Sequence, residues 1–336
     1  MEWYLPVIWA ALIGTAVALY VILDGFDLGI GILFPSAKND KEQDQMISSI
    51  APFWDGNETW LVLGGGGLWV AFPRAYAVIM PALYLPVIVM LLALVFRGVA
   101  FEFRTVANTS KKYWTFAFAG GSTLAAFCQG LILGGLIQGI KVENGEFAGG
   151  TFDFATPFAL LCGLGVVAGY ALLGACWLVM KTEGEVARRA RRHAKLLLLA
   201  VLVFMAIVSL WTPLQFPRIR ERWFSLPNIL FLWPVPIVTA LVAFMAWRWL
   251  ERGRDFGPFF ATIVLFLLGY TGLAISVYPY LVPPTLTIWD TAAAPASQIF
   301  LLLGTVALLP IIFGYIVFVY WLFRGKVREG EGYHQH

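Results

Sequence analysis

Charge is scarce in this 336-residue chain, and histidine scarcer still. Asp, Glu, Lys and Arg make up 13% of the residues against 60% hydrophobic, with a mean hydropathy of +0.78. Soluble domains carry about a quarter charged residues, so a soluble globular fold is excluded and an all-α polytopic membrane protein is expected. His193, His334 and His336 all lie outside the apolar runs, which leaves no intramembrane imidazole to hold a metal or a haem. Cys128, Cys162 and Cys176 sit singly within apolar segments, with no CxxC or Cys/His spacing, and read as small packing residues. No GxxxxGK[ST] or GxGxxG opens a charged helix, so no nucleotide site is implied. A net charge of +3 gives no case for nucleic acid in so apolar a chain.

What is present is hydrophobic length. Runs able to cross about 30 Å of hydrocarbon number nine, at roughly 6–34, 52–72, 77–100, 114–140, 157–180, 195–212, 226–247, 257–279 and 298–323. The first carries two aspartates and no small-residue cleavage site, which argues against a removable signal peptide. The second and third are separated only by a short turn at Pro73–Ala77. Nine spans place seventeen of the 23 basic residues on one side and five on the other (Arg74, Lys141, Arg218, Arg220 and Arg222). By the positive-inside rule the N-terminus is then outside and the C-terminus cytoplasmic. The whole chain, 1–336, is expected to be one integral-membrane domain, with a first four-helix bundle over roughly 1–140 and the remaining helices over 157–336. Glycines cluster inside spans at 64–67, 120–121 and 134–135, where small residues favour close helix packing in lipid over a ligand loop.

Against this background two acidic clusters stand out, Asp24-Gly-Phe-Asp27 and Trp54-Asp55-Gly-Asn-Glu58-Thr-Trp60. Ionisable groups at membrane depth are costly and mark proton or ion paths by default. Asp24 and Asp27 are three residues apart and share a helix face, as do Asp55 and Glu58. Counting about 1.5 Å per residue puts all four at the same, cytoplasmic edge, where Arg97 and Glu102 close the third span. Buried carboxyl groups in pairs exchange protons closer to neutral pH, so Asp55, Asp27, Asp24 and Glu58 read as a proton intake. Aspartates and glutamates also terminate helices, and for Glu102 that plain role stands equally.

Elsewhere the bland readings lead. Asp290 ends the aromatic loop Tyr278–Asp290 and is expected to cap the last helix or bind a partner. Arg218, Arg220 and Arg222 suit lipid headgroups, a partner or a solvated loop. Arg188, Arg189, Arg191 and Arg192 form a basic segment suited to anionic membrane lipid, with His193 solvated among them.

Together these segments resemble subunit II of the cytochrome bd-type quinol oxidases. The resemblance rests on Asp24-Gly-Phe-Asp27-Leu-Gly-Ile-Gly31, Ser48–Trp60 with its WDGN core, Phe96-Arg97-Gly-Val-Ala-Phe-Glu102-Phe-Arg104, and Leu286-Thr-Ile-Trp289-Asp290. Glu58-Thr-Trp60 and Tyr278-Pro-Tyr are similar to the cyanide-insensitive branch. The resemblance implies two four-helix bundles plus a peripheral helix in the bacterial inner membrane. It implies a heterodimer with subunit I, which carries two b-type haems and one d-type haem and oxidises quinol. Small single-helix subunits and a structural quinone occur in some members. Asp55 matches the family's channel aspartate near the subunit boundary, Asp24 and Asp27 its first-helix acidic pair, and Arg97 an arginine facing the partner's haem region, with Glu102 expected beside it as a further contact on that side. A different class, a proton-coupled secondary transporter, would show midplane carboxylates, broken helices and an inverted repeat. Here the acids crowd one edge and no repeat is seen.

Overall fold

The first helix, α1 (Leu5–Leu33), shows how this chain builds its core. Its first half is apolar all round and half exposed, while every residue from Asp24 to Gly31 is buried. The computed structural model describes residues 3–107 and 109–328; His334 and His336 lie outside them. After a 3-10 turn at Phe34–Ser36, a short helix α2 (Asp40–Ser48) precedes α3 (Trp54–Ala71), α4 (Pro73–Val106) and α5 (Lys111–Gln138). A two-stranded hairpin, β1 (Val142–Glu143) and β2 (Glu146–Phe147), turns at Asn144-Gly145, both with positive φ. Then follow α6 (Pro157–Lys181), α7 (Gly184–Gln215), α8 (Pro217–Phe224), α9 (Asn228–Leu232), α10 (Pro234–Glu251) and α11 (Gly257–Val277). A second hairpin, β3 (Tyr280–Val282) and β4 (Leu286–Thr287), leads into α12 (Pro295–Leu322).

Eight of these segments are long and apolar enough to cross a membrane, α9 and α10 counting as one. The helix α3 matches the expected 52–72 span and has 18 residues, about 27 Å of rise. Its apolar run is diluted by Asp55, Asn57, Glu58 and five glycines, which keeps it out of the eight. The turn expected at Pro73–Ala77 does not exist. Only Phe72 separates the two helices, and Pro73 occupies the first turn of α4, where its missing N–H costs nothing. The break comes later, at Leu83, whose φ of −122° and ψ of 17° leave the helical region. Pro86 explains it, because its ring crowds the preceding turn and removes a hydrogen bond.

The helix α1 packs against α3, α5 and α6, and α6 in turn against α5 and α7. Glycine makes the α1–α6 crossing. A Cβ on Gly29 would stand 1.8 Å from the Tyr170 carbonyl oxygen, and one on Gly174 would stand 2.4 Å from the Gly29 carbonyl carbon. Side chains there would push the helices apart. The last helix is bound differently, with Gln298 its single buried residue. It is fastened at its ends. Trp9 donates to the Gln298 carbonyl (3.2 Å), while at the other end Lys181 donates to the carbonyls of Phe323 and Gly325 (2.8 Å to the latter).

Two segments outside the expected spans are helical. Asn39 accepts from the Glu42 N–H (3.0 Å) and the Glu42 carboxylate from the Lys38 N–H (2.7 Å), a reciprocal cap that starts α2. The basic stretch from Gly184 is the start of α7, since Val186, Ala190 and Ala194 repeat every fourth residue and are buried.

Candidate functional site

The two carboxylates of α1 end up wholly enclosed. Asp24 and Asp27 are 0% exposed, and Arg97 of α4 is 1% exposed beside them. The Arg97 guanidinium donates through Nη1 to Asp24 Oδ1 at 2.6 Å. It can sit so deep because α5 presents Gly121 to α4, where a Cβ would meet the Ala93 carbonyl oxygen at 2.7 Å. Glu58 of α3 approaches the same Nη1 at 3.9 Å and is partly exposed, at 29%. Trp54, at the start of α3, lies with its ring centroid 5.9 Å from the guanidinium carbon. One cation thus faces three carboxyl groups from two helices.

The buried polar atoms are incompletely satisfied within the protein. Asp24 Oδ2, Asp27 Oδ1, Arg97 Nε and Arg97 Nη2 have no hydrogen-bond partner among the described residues. Buried polar atoms of this kind are satisfied by water or mark a chemical task.

Five uncharged side chains complete the site, and none was singled out as a site residue from sequence. Asn57 donates to Asp27 Oδ2 (2.7 Å) and to the Leu23 carbonyl (3.3 Å), while accepting from the Tyr320 hydroxyl of α12 (3.0 Å). One turn before Asp24, the Tyr20 hydroxyl accepts from Gln129 of α5 (2.7 Å), whose amide oxygen accepts from Tyr170 of α6 (2.6 Å). Asn57 lay inside the quoted motif. A lone Gln129 or Tyr320 in an apolar run is a polar residue needing a partner, the one signal that could have found them.

The other expected residues lie apart. Asp55 sits in the first turn of α3 and is exposed, on the outward stripe Asp55, Thr59, Val62, Gly66 and Trp69. Glu102 is exposed on α4 and is not brought to the cluster. Arg104, two turns beyond Arg97, is instead buried and saturated. It donates to Asp44 (2.7 Å), Gln43 (2.7 Å) and Thr115 (3.1 Å).

Several bland expectations change. Asp290 caps no helix. Its carboxylate accepts from the Thr287 N–H (2.9 Å) and hydroxyl (2.6 Å), which hold it below the usual carboxylate range. Arg218 and Arg222 are half-buried and engage the backbone of neighbouring elements. Arg218 donates to the Ile137 carbonyl (3.1 Å), and Arg222 to the carbonyls of Ile275 (3.0 Å) and Tyr278. In the basic segment Arg188 pairs with Glu185, Arg189 with Glu42, and Arg191 with Asp255 at 2.6 Å.

Among the described residues, the histidine and cysteines do not fit a haem. His193 lines a crevice of about 10 Å³ between α1, α2, α6 and α7, far below the volume of a macrocycle. Cys128, Cys162 and Cys176 are buried in helix packing.

A buried, charged site inside a bundle of long apolar helices defines an integral membrane protein with an ionisable interior. The family described as cytochrome bd terminal oxidase subunit II matches residues 5–323, and the chain belongs to that family. It is 29% identical to the cytochrome bd-I ubiquinol oxidase subunit 2 of Escherichia coli K12, over 96% of this chain and 95% of that protein. It is 27% identical to the cytochrome bd ubiquinol oxidase subunit 2 of Bacillus subtilis, over 96% and 97% respectively. The fold is similar to that in the structure of bd oxidase from Geobacillus thermodenitrificans, with a TM-score of 0.80, 20% identity, and coverage of 95% of this chain and 98% of that one. Proton-coupled transport is not favoured by these relatives.

Proposed function

We propose that this chain is the non-haem subunit of a quinol-oxidising, dioxygen-reducing heterodimer, and that it carries protons from the cytoplasm toward the haems of subunit I. In this reading it spans the bacterial inner membrane nine times, as two four-helix bundles with α12 peripheral, its N-terminus outside. The observation that carries the proton path is the ordering of acids by exposure. Exposed Asp55 leads, one turn along α3, to half-buried Glu58, which lies 3.9 Å from Arg97. Arg97 holds fully buried Asp24, and Asp27 lies three residues further along α1.

Each group has a distinct task. Asp55 collects the proton at the surface, and Glu58 hands it inward. Arg97 pairs with Asp24 in a low-dielectric interior, where an unpartnered buried charge is costly. The open oxygens Asp24 Oδ2 and Asp27 Oδ1 are the places where a proton can be accepted. The partner subunit is placed against the outward stripe of α3. This face carries Asp55 among its apolar residues, together with the bare backbone of Gly65 and Gly66, beside which nothing among the described residues lies within 4 Å. Small residues of that kind admit a neighbouring helix. In this reading the haems belong to subunit I and quinol supplies the electrons; this chain's residues bind, orient and move protons.

The test is Asp55→Asn in the assembled complex. Asn keeps the size and shape of the Asp55 side chain and removes only its charge, so the complex should still assemble. Steady-state quinol oxidase turnover per haem should fall by roughly 10²-fold while haem absorption and assembly persist. Wild-type turnover at equal haem content would overturn the assignment.

A further inference from the structure

In the basic segment at the start of α7, Arg189 and Arg191 are held by Glu42 and Asp255, and Arg188 makes an exposed pair with Glu185 one turn away. Two further cations carry no such pair. Arg192 and Lys195 have no carboxylate within 4.0 Å among the described residues. They lie three residues apart, on the same helical stripe as Leu199 and Leu202. That stripe forms one wall of an apolar groove of about 350 Å³, whose other wall is Ala240, Phe244 and Trp247 of α10. Lys195 Nζ stands 6.0 Å from the Trp247 ring centroid, at the mouth of the groove.

The order of chemistry along this stripe is that of a lipid. Cations come first, then an amphipathic indole at the level where tryptophan prefers the membrane interface, then an apolar channel. From Lys195 to Leu202 the helix rises about 10 Å, which carries the groove from headgroup level into the hydrocarbon. The nearby acid on α10, Glu251, lies 3.8 Å from Arg248, so Arg192 and Lys195 keep their charge available. We propose that the α7–α10 groove binds one anionic phospholipid, an acyl chain lying between Leu202 and Phe244 and the phosphate between Arg192 and Lys195.

The test uses the intact oxidase complex, delipidated in mild detergent and titrated separately with phosphatidylglycerol and with phosphatidylcholine of the same chains. Bound lipid is counted by native mass spectrometry. The wild-type complex should retain one more tightly held phosphatidylglycerol than the Arg192→Glu/Lys195→Glu variant, whose apparent affinity at that site drops roughly tenfold or more. Ala240→Trp fills the groove without touching either cation and should remove the same lipid. Unchanged haem spectra certify that both variants are folded. Equal phosphatidylglycerol retention in wild type and variants would overturn the proposal. So would equal binding of phosphatidylcholine, or a small co-purifying membrane protein whose removal is what opens the site.

Discussion

Arg97 and Arg104 lie two turns apart on α4, each 1% exposed and each holding an aspartate at 2.6 or 2.7 Å. They differ in what surrounds the pair. Arg104 spends its donors on Asp44, Gln43 and Thr115, its aspartate is 44% exposed, and its guanidinium lies over Phe34. It is a fastener, tying α2 to α4 and α5. Arg97 leaves Nε and Nη2 without a protein partner, and its aspartate is sealed with one oxygen open. A saturated pair has one stable arrangement. An unsaturated one retains chemistry to perform, at a cost in stability that only function justifies.

The comparison is broken most severely by removing the buried cation. Arg97→Leu strands Asp24 and Asp27 in the interior, and loss of one partner of a buried pair costs about 3–5 kcal/mol. The assembled complex should largely disappear in fluorescence-detected size-exclusion chromatography. Asp24→Leu/Arg97→Leu should recover much of the assembly but none of the turnover. An Arg97→Leu complex as heat-stable as wild type would mean that the pair carries no such role. Arg104→Ala should lower stability by about 1–3 kcal/mol, read as a drop in thermal midpoint, with turnover per haem unchanged. Reduced turnover at matched haem content would show that the two arginines share a task.

The smallest effect concerns Glu42, outside the spans. The hydrogen bond from Arg189 holds its carboxyl below the usual carboxylate range, against the opposing effect of burial. A folded-state value below the unfolded one gives stability that is present above the unfolded value, about 4.3. That stability is lost as pH falls through the lower folded value. The thermal midpoint should therefore drop in that acid window, by the equivalent of about 1 kcal/mol, and Glu42→Gln should remove this component. An identical acid profile in the variant would assign the dependence to other groups. Asp255 is held low in the same way, hydrogen bonds from Lys326 and Arg191 outweighing its burial.

How much of this was legible in the chain follows from the same physics. Asp24 and Asp27 announced themselves because carboxylates in an apolar run are expensive, and the spans did so because hydrocarbon thickness fixes their length. Tyr320 could not be placed beside Asn57, because that contact joins residues 263 positions apart and depends on how α12 docks. Glu102 seemed part of the acid edge because span counting gives depth but not rotation about the α4 axis. The start of α2 was readable in principle, since Asn39 and Glu42 have capping-box spacing. The helical start of α7 was hidden by its charge, although Val186, Ala190 and Ala194 carry the period.

The central claim is that the Arg97 cluster conducts protons whereas the Arg104 cluster only fastens. It is tested most directly by following proton uptake from the bulk, with a pH-sensitive dye, during a single turnover of the complex with oxygen. Asp55→Asn should slow uptake by roughly 10²-fold while Arg104→Ala leaves it at the wild-type rate. Uptake unaffected by Asp55→Asn, or slowed equally by both substitutions, would contradict the account.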